Sequence, residues 1–147
     1  MLDKLKALFS AEPEATMDDD ASLHLAAAVL LIQVAKSDHQ VDTPELARIE
    51  QVLRREWGLS DHDLNDLMRV ADQTSDAHVS LHAHVDKVNR NFSAAQKCDL
   101  VRGLWEVACA DGEIHPYEEL LVRRLADLIY VPHTDFIRTK HEALSAT

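Results

Sequence analysis

Glycine and cysteine are scarce in this 147-residue chain, which has three of the former and two of the latter, and aromatic residues make up only 5% of it. With so few glycines, and no alternating run of aromatic or β-branched residues, the signals that mark strands and hairpins are absent. The two cysteines, Cys98 and Cys109, lie on one expected helix. At about 1.5 Å per residue they are too far apart to bridge, so both are expected as reduced, semi-buried thiols. Basic residues are also few, 15 against 26 acidic, for a net charge of −11. So acidic a surface repels phosphate, which speaks against nucleic acid and anionic lipid as partners and favours cations and basic proteins.

No apolar run is long enough to cross a bilayer. The longest, Ala21 to Ala35, falls short of the roughly 20 residues required and contains His24 and Gln33, so it reads as a central buried helix. The opening MLDKLKALF is too short and too charged for a signal peptide, and a cytoplasmic location is expected. Catalytic signatures are missing too. There is no Gly-x-Ser-x-Gly, neither cysteine sits in a known catalytic context, and no Glu is followed three residues later by the His of a diiron bundle. An enzyme is not expected, nor an organic cofactor.

What the chain does have is helical periodicity. An amphipathic leader, with Leu2, Leu5, Leu8 and Phe9 on one side and Lys4 and Lys6 beside them, is followed by a polar linker, so that residues 1–19 precede a helical domain of residues 20–147. The leader is expected to form a short helix that docks on the domain or on a partner rather than on lipid. Helix one spans Asp20 to about Lys36. Helix two opens at DTPE and ends at Gly58, and helix three opens at Ser60. A fourth begins near Ala77, a fifth behind the Ser93/Gln96 capping box, a sixth after His115-Pro116, and a last one beyond Pro132. The fold class is therefore all-α, a single-domain bundle of about seven helices.

Part of this pattern occurs twice. VAKSDHQVDTPE (Val34 to Glu45) and VACADGEIHPYE (Val107 to Glu118) each place an Asp at the end of one helix and a Glu seven residues later at the start of the next. Asp38 to Asp111 and Glu45 to Glu118 both span 73 positions, and LSDHDL (Leu59 to Leu64) matches VPHTDF (Val131 to Phe136) at 72. An internal pseudo-twofold duplication follows. The units Asp20–Ala71 and Ser93–Leu144 are expected to superpose, with helices one and five at the centre and helix four linking the halves. Carboxylates at such a corner, with free carbonyls of the helix end, form the oxygen-only set that hard divalent cations such as Ca²⁺, Mg²⁺ or Mn²⁺ take. It is not an EF-hand, because Thr43 and Pro116 stand where that loop needs glycine, and Ile49 and Val122 where it needs glutamate. The plainer reading is that Glu45 and Glu118 close capping boxes and the Asp residues solvate turns.

The pattern AxxDGxIxxxE of Ala108 to Glu118, present in altered form in Ala35 to Glu45, resembles the tellurite-resistance protein B (TerB-like) family, which is related to the N-terminal domain of the DjlA-type co-chaperone. The resemblance covers roughly Asp20 to Lys140. It implies an all-helical domain with acidic residues at a proposed metal site. Carried onto this chain, these are Asp38, Glu45, Asp111 and Glu118, with Asp42 and Glu113 as additions; His39 stands where the second copy has Gly112. The expected function is a non-enzymatic, cation-responsive module with protein partners, in a stress response or an envelope-associated complex. Its rival is a metal-independent acidic interaction domain. The ladder His78, His82 and Asp86 has zinc-compatible spacing but reads as a solvated helix flank. Trp57 and Trp105 read as core residues.

Overall fold

The computed structural model describes residues 20–36, 43–76 and 81–145. Among these residues there are seven helices and no strand: α1 (Asp20–Ala35), α2 (Thr43–Trp57), α3 (Asp61–Asp76), α4 (Leu81–Asn91), α5 (Ala94–Ala108), α6 (Pro116–Leu128) and α7 (His133–Ser145). The leader and its linker, the loop carrying Asp38 and Asp42, and the start expected for the fourth helix near Ala77 lie outside the described residues.

Local chemistry accounts for the helix boundaries. At α5 the expected capping box is formed: Gln96 donates its backbone N–H to Ser93 Oγ at 3.1 Å, and Ser93 returns its own N–H to Gln96 Oε1 at 2.8 Å. Ser60 Oγ accepts from the Asp63 N–H at the entry to α3. Gly58, at φ +58°, closes α2 with an N–H donated to the Arg54 carbonyl, a left-handed conformation that costs glycine least. Tyr130 holds a similar φ of 61° after α6, where Val131 N–H caps the Ala126 carbonyl before Pro132 prevents continuation.

Helices α1 and α5 form the centre. Helix α1 is apolar nearly all round, and from Ala26 to Ala35 all of its residues but Gln33 are buried, as such a helix must be to keep its surface from water. On α5 the side chains of Leu104 and Trp105 are wholly buried; Trp105 meets the Phe136 ring at 5.1 Å and donates its indole N–H to the Phe136 carbonyl at 3.3 Å. Truncating such a tryptophan to alanine costs about 3–5 kcal/mol. Trp57 sits half-buried at the end of α2 between His24 and Phe92.

Packing repeats with the sequence. Helix α1 packs on α2 and α3 as α5 packs on α6 and α7, each central helix touches the other, and each also meets the second helix of the opposite unit. Helix α4 lies against α1 between the two units. At the crossing of α2 and α5, Gly103 lets the helices approach so closely that a Cβ there would stand 2.8 Å from Val52 Cγ1. This duplicated packing brings the first turns of α2 and α6, each with its repeated Glu, to the same place.

Candidate functional site

Glu45 lies in the first turn of α2 and Glu118 in the first turn of α6. At α6 the chain enters through His115 as N-cap and Pro116 as first helical residue, which puts Glu118 at the third helical position. The His115 ring makes no cap hydrogen bond, but the Glu118 carboxyl reaches back to the His115 backbone N–H. Half of a capping box is therefore present.

The rest of the Glu118 carboxyl does something a cap does not require. Both glutamates are buried, Glu118 to 1% exposure and Glu45 to 3%, and their carboxyl groups hydrogen-bond to each other. A carboxylate only accepts, so that bond requires one of the two groups to carry a proton. Burial, then the hydrogen bond to Glu45, then its negative charge push the Glu118 carboxyl up to about 8, against an ordinary 4.5, while the His115 N–H and ring pull the other way. Glu118 Oε2 is buried with no hydrogen-bond partner among the described residues. Below about pH 8 the pair thus shares a proton through Glu118 and leaves one oxygen unsatisfied.

Asp111 and Glu113 lie beside this pair in the loop from α5 to α6. Gly112, at φ +94°, makes the turn, and its N–H caps the Cys109 carbonyl at 3.0 Å. Asp111 Oδ1 accepts the Glu113 backbone N–H at 3.0 Å, and its Oδ2 stands 3.3 Å from His115 Nε2. The Glu113 N–H holds the Asp111 carboxyl below its ordinary range, with His115 adding to the effect; Asp111 in turn raises His115. Asp111 therefore ties down the turn and orients His115, which adjoins Glu118. Glu113 is exposed and acts on His115 through its charge alone.

A family model described as tellurite resistance protein TerB matches residues 24–141. The chain belongs to the TerB family. The match contains both repeated corners and all seven helices apart from the first turn of α1 and the end of α7. No curated protein and no solved structure matches the chain significantly.

Among the six sequence-derived site residues of this TerB chain, Glu45 and Glu118 come together, Asp111 and Glu113 occupy the adjoining loop, and Asp38 and Asp42 lie outside the described residues. No three His, Cys, Asp or Glu side chains converge as a ready-made metal cage among the described residues. On α4, His82 is exposed and Asp86 pairs with Arg90 at 2.9 Å, as on a solvated flank; His78 is outside the described residues.

A third buried carboxyl group, outside the Glu45–Glu118 pair, was not anticipated. Glu106 on α5 is 3% exposed, and both of its carboxylate oxygens accept from Arg55 Nη1, Oε2 at 2.9 Å and Oε1 at 3.1 Å. Arg102 stands 3.7 Å from both Glu106 and Glu56. Fully paired, Glu106 ties α2 to α5 and needs no ligand. One signal for it was available, an acid inside the apolar run LWEVA.

Proposed function

We propose that this TerB-family chain is a non-enzymatic module that takes a divalent cation at the Glu45–Glu118 pair and acts through protein partners in a tellurite-type stress response or an envelope-associated complex of the cytoplasm. The observation that carries this reading is the buried carboxyl pair with an orphaned oxygen. Such a pair is tolerated in the interior only when a positive charge, here a proton, lies between its members. A bound cation would supply that charge in place of the proton. Two carboxylates completed by water suit Mg²⁺ or Mn²⁺, and Ca²⁺ would draw on more oxygens, for which Asp111 and Glu113 and the loop residues Asp38 and Asp42 are the candidates. Oxygen-only donors disfavour Zn²⁺. TerB is a helical, non-catalytic family, which agrees with a binding role.

The rival reading, an acidic interaction domain that needs no metal, draws support from Tyr117 and Leu120, which are 75% and 62% exposed on either side of Glu118. Calorimetric titration of Ca²⁺, Mg²⁺, Mn²⁺ and Zn²⁺ in two buffers of different ionisation heat separates the two. Binding at about pH 6.5 should release close to one proton per ion, and at pH 9 almost none. The E45Q/E118Q double variant should stay folded and bind no ion. Absence of binding heat in the parent, or binding that survives in the double variant, would sink the cation reading.

A further inference from the structure

We infer that the groove between the start of α1 and the outer face of α3 is the docking site of the chain's own leader, Met1 to Phe9. This inference is independent of the cation reading. The groove has a volume of about 660 Å³ and is floored by Leu25, Leu59, Leu67 and Val70, with Asp63 and Asp66 on its rim. Its apolar floor is incompletely covered. Leu25 and Leu67 are only half-buried and Val70 is 37% exposed, whereas the next turns of α1 are sealed. The groove is lined at one end by Ala21 and Ser22, at the start of α1, where the chain arrives from residues 1–19.

Pattern, charge and reach each point to the leader as the occupant. At about 100° per residue, Leu2, Leu5, Leu8 and Phe9 fall within one arc of roughly 120°, and Lys4 and Lys6 fall on its two edges. An apolar ridge bordered by two lysines complements an apolar trough bordered by two aspartates. Asp63 makes no ion pair among the described residues, and Asp66 has only His62 at 3.4 Å and Arg69 at 3.8 Å. Ten residues, Ser10 to Asp19, separate Phe9 from α1. Extended, they span up to about 35 Å, and a nine-residue helix is about 14 Å long, so the leader reaches the groove and can lie back along it. A tether of this length holds it at an effective concentration in the millimolar range, so weak intrinsic affinity suffices.

The test is amide NMR on the full chain, comparing the parent with L5E/L8E, two changes outside the described helices. Docking predicts amide-shift differences gathered on Leu25, Leu59, Leu67 and Val70, unchanged on dilution. The K4E/K6E variant should reproduce most of them at low salt. Identical spectra at the groove overturn the inference. So do differences gathered elsewhere, such as around Tyr117 and Leu120, differences that vanish on dilution and so report a second copy, or differences that arise only when anionic vesicles are added.

Discussion

Replacing Glu118 by glutamine probes the buried pair most directly. In the parent the folded state holds the Glu118 proton up to about pH 8, whereas the unfolded chain gives it up near 4.5. Between those values the folded state binds more protons than the unfolded one, so stability is complete below about pH 4.5 and falls as pH rises through 8. The slope is at most about 1.4 kcal/mol per pH unit, and the whole loss at most roughly 5 kcal/mol, less whatever is relieved as water reaches the charged pair. For a chain of this size each kcal/mol moves the melting temperature by about 2–4 °C, so a fall on the order of 10 °C is well within reach of measurement. Glutamine keeps the shape, can still accept from the His115 N–H, can donate to Glu45, and does not titrate. Urea denaturation from about pH 5 to 8.5 at fixed ionic strength should show the variant close to the parent at pH 5 and several kcal/mol more stable at pH 8.5. The difference between the two curves is the useful quantity, because other groups titrate as well. His84, buried and with its pKa lowered first by burial and then by Lys87, stabilises above pH 6.5 and loses that contribution as pH falls. His115, raised chiefly by Asp111, loses its contribution as pH rises. Parallel profiles for parent and E118Q, or a parent whose stability does not change between pH 5 and 8, would refute the shared-proton account.

Two further predictions concern the join between the units. Glu106→Ala strips Arg55 and Arg102 of their buried partner and should cost about 2–4 kcal/mol by urea denaturation, the lower part of the range reflecting the 43% exposure of Arg55; Glu106→Gln should cost clearly less, and equal losses would show that packing rather than charge matters there. Gly103→Ala drives a methyl to within 2.8 Å of Val52 Cγ1 and should destabilise by about 1–3 kcal/mol, with Val52→Ala in the same chain restoring part of the loss.

Much of this architecture was legible in the sequence for a physical reason. A helix apolar on every side must be central, which placed α1 correctly, and the 73-residue repeat then placed α5 beside it. The helix starts were readable because Ser93, Gln96, Ser60 and Pro116 act within one turn of themselves. The third-position role of Glu118 was readable on the same ground. Its contact with Glu45 was not, because that depends on where two helix starts meet in space. Arg55 carried still less signal. It reads as a cation at a helix C-terminus, where the dipole welcomes it. Its repeat partner is Leu128 and that of Glu106 is Gln33, so the clamp they form has no counterpart in the other half and the repeat could not announce it. His84, within HAHVDKV, resembles its exposed neighbour His82 until α4 is laid against α1.

Duplication also explains why like meets like at the corner. In a pseudo-twofold arrangement, residues close to the axis face their own counterparts, and Glu45 faces Glu118. Any self-facing pair of ordinary side chains would serve packing, and a capping role is met equally by glutamine, as Gln96 demonstrates at the start of α5 in this same chain. Glutamine at both positions would cap, would hydrogen-bond across the axis through one donor and one acceptor, and would bury no charge. The chain instead carries a carboxyl in each half, at positions 3% and 1% exposed, and sustains a displaced pKa and an orphaned oxygen as a result. Packing and capping account for an amide there as well as for an acid. The acid adds one property, a negative charge that emerges when the proton leaves, and the proposed cation site rests on it.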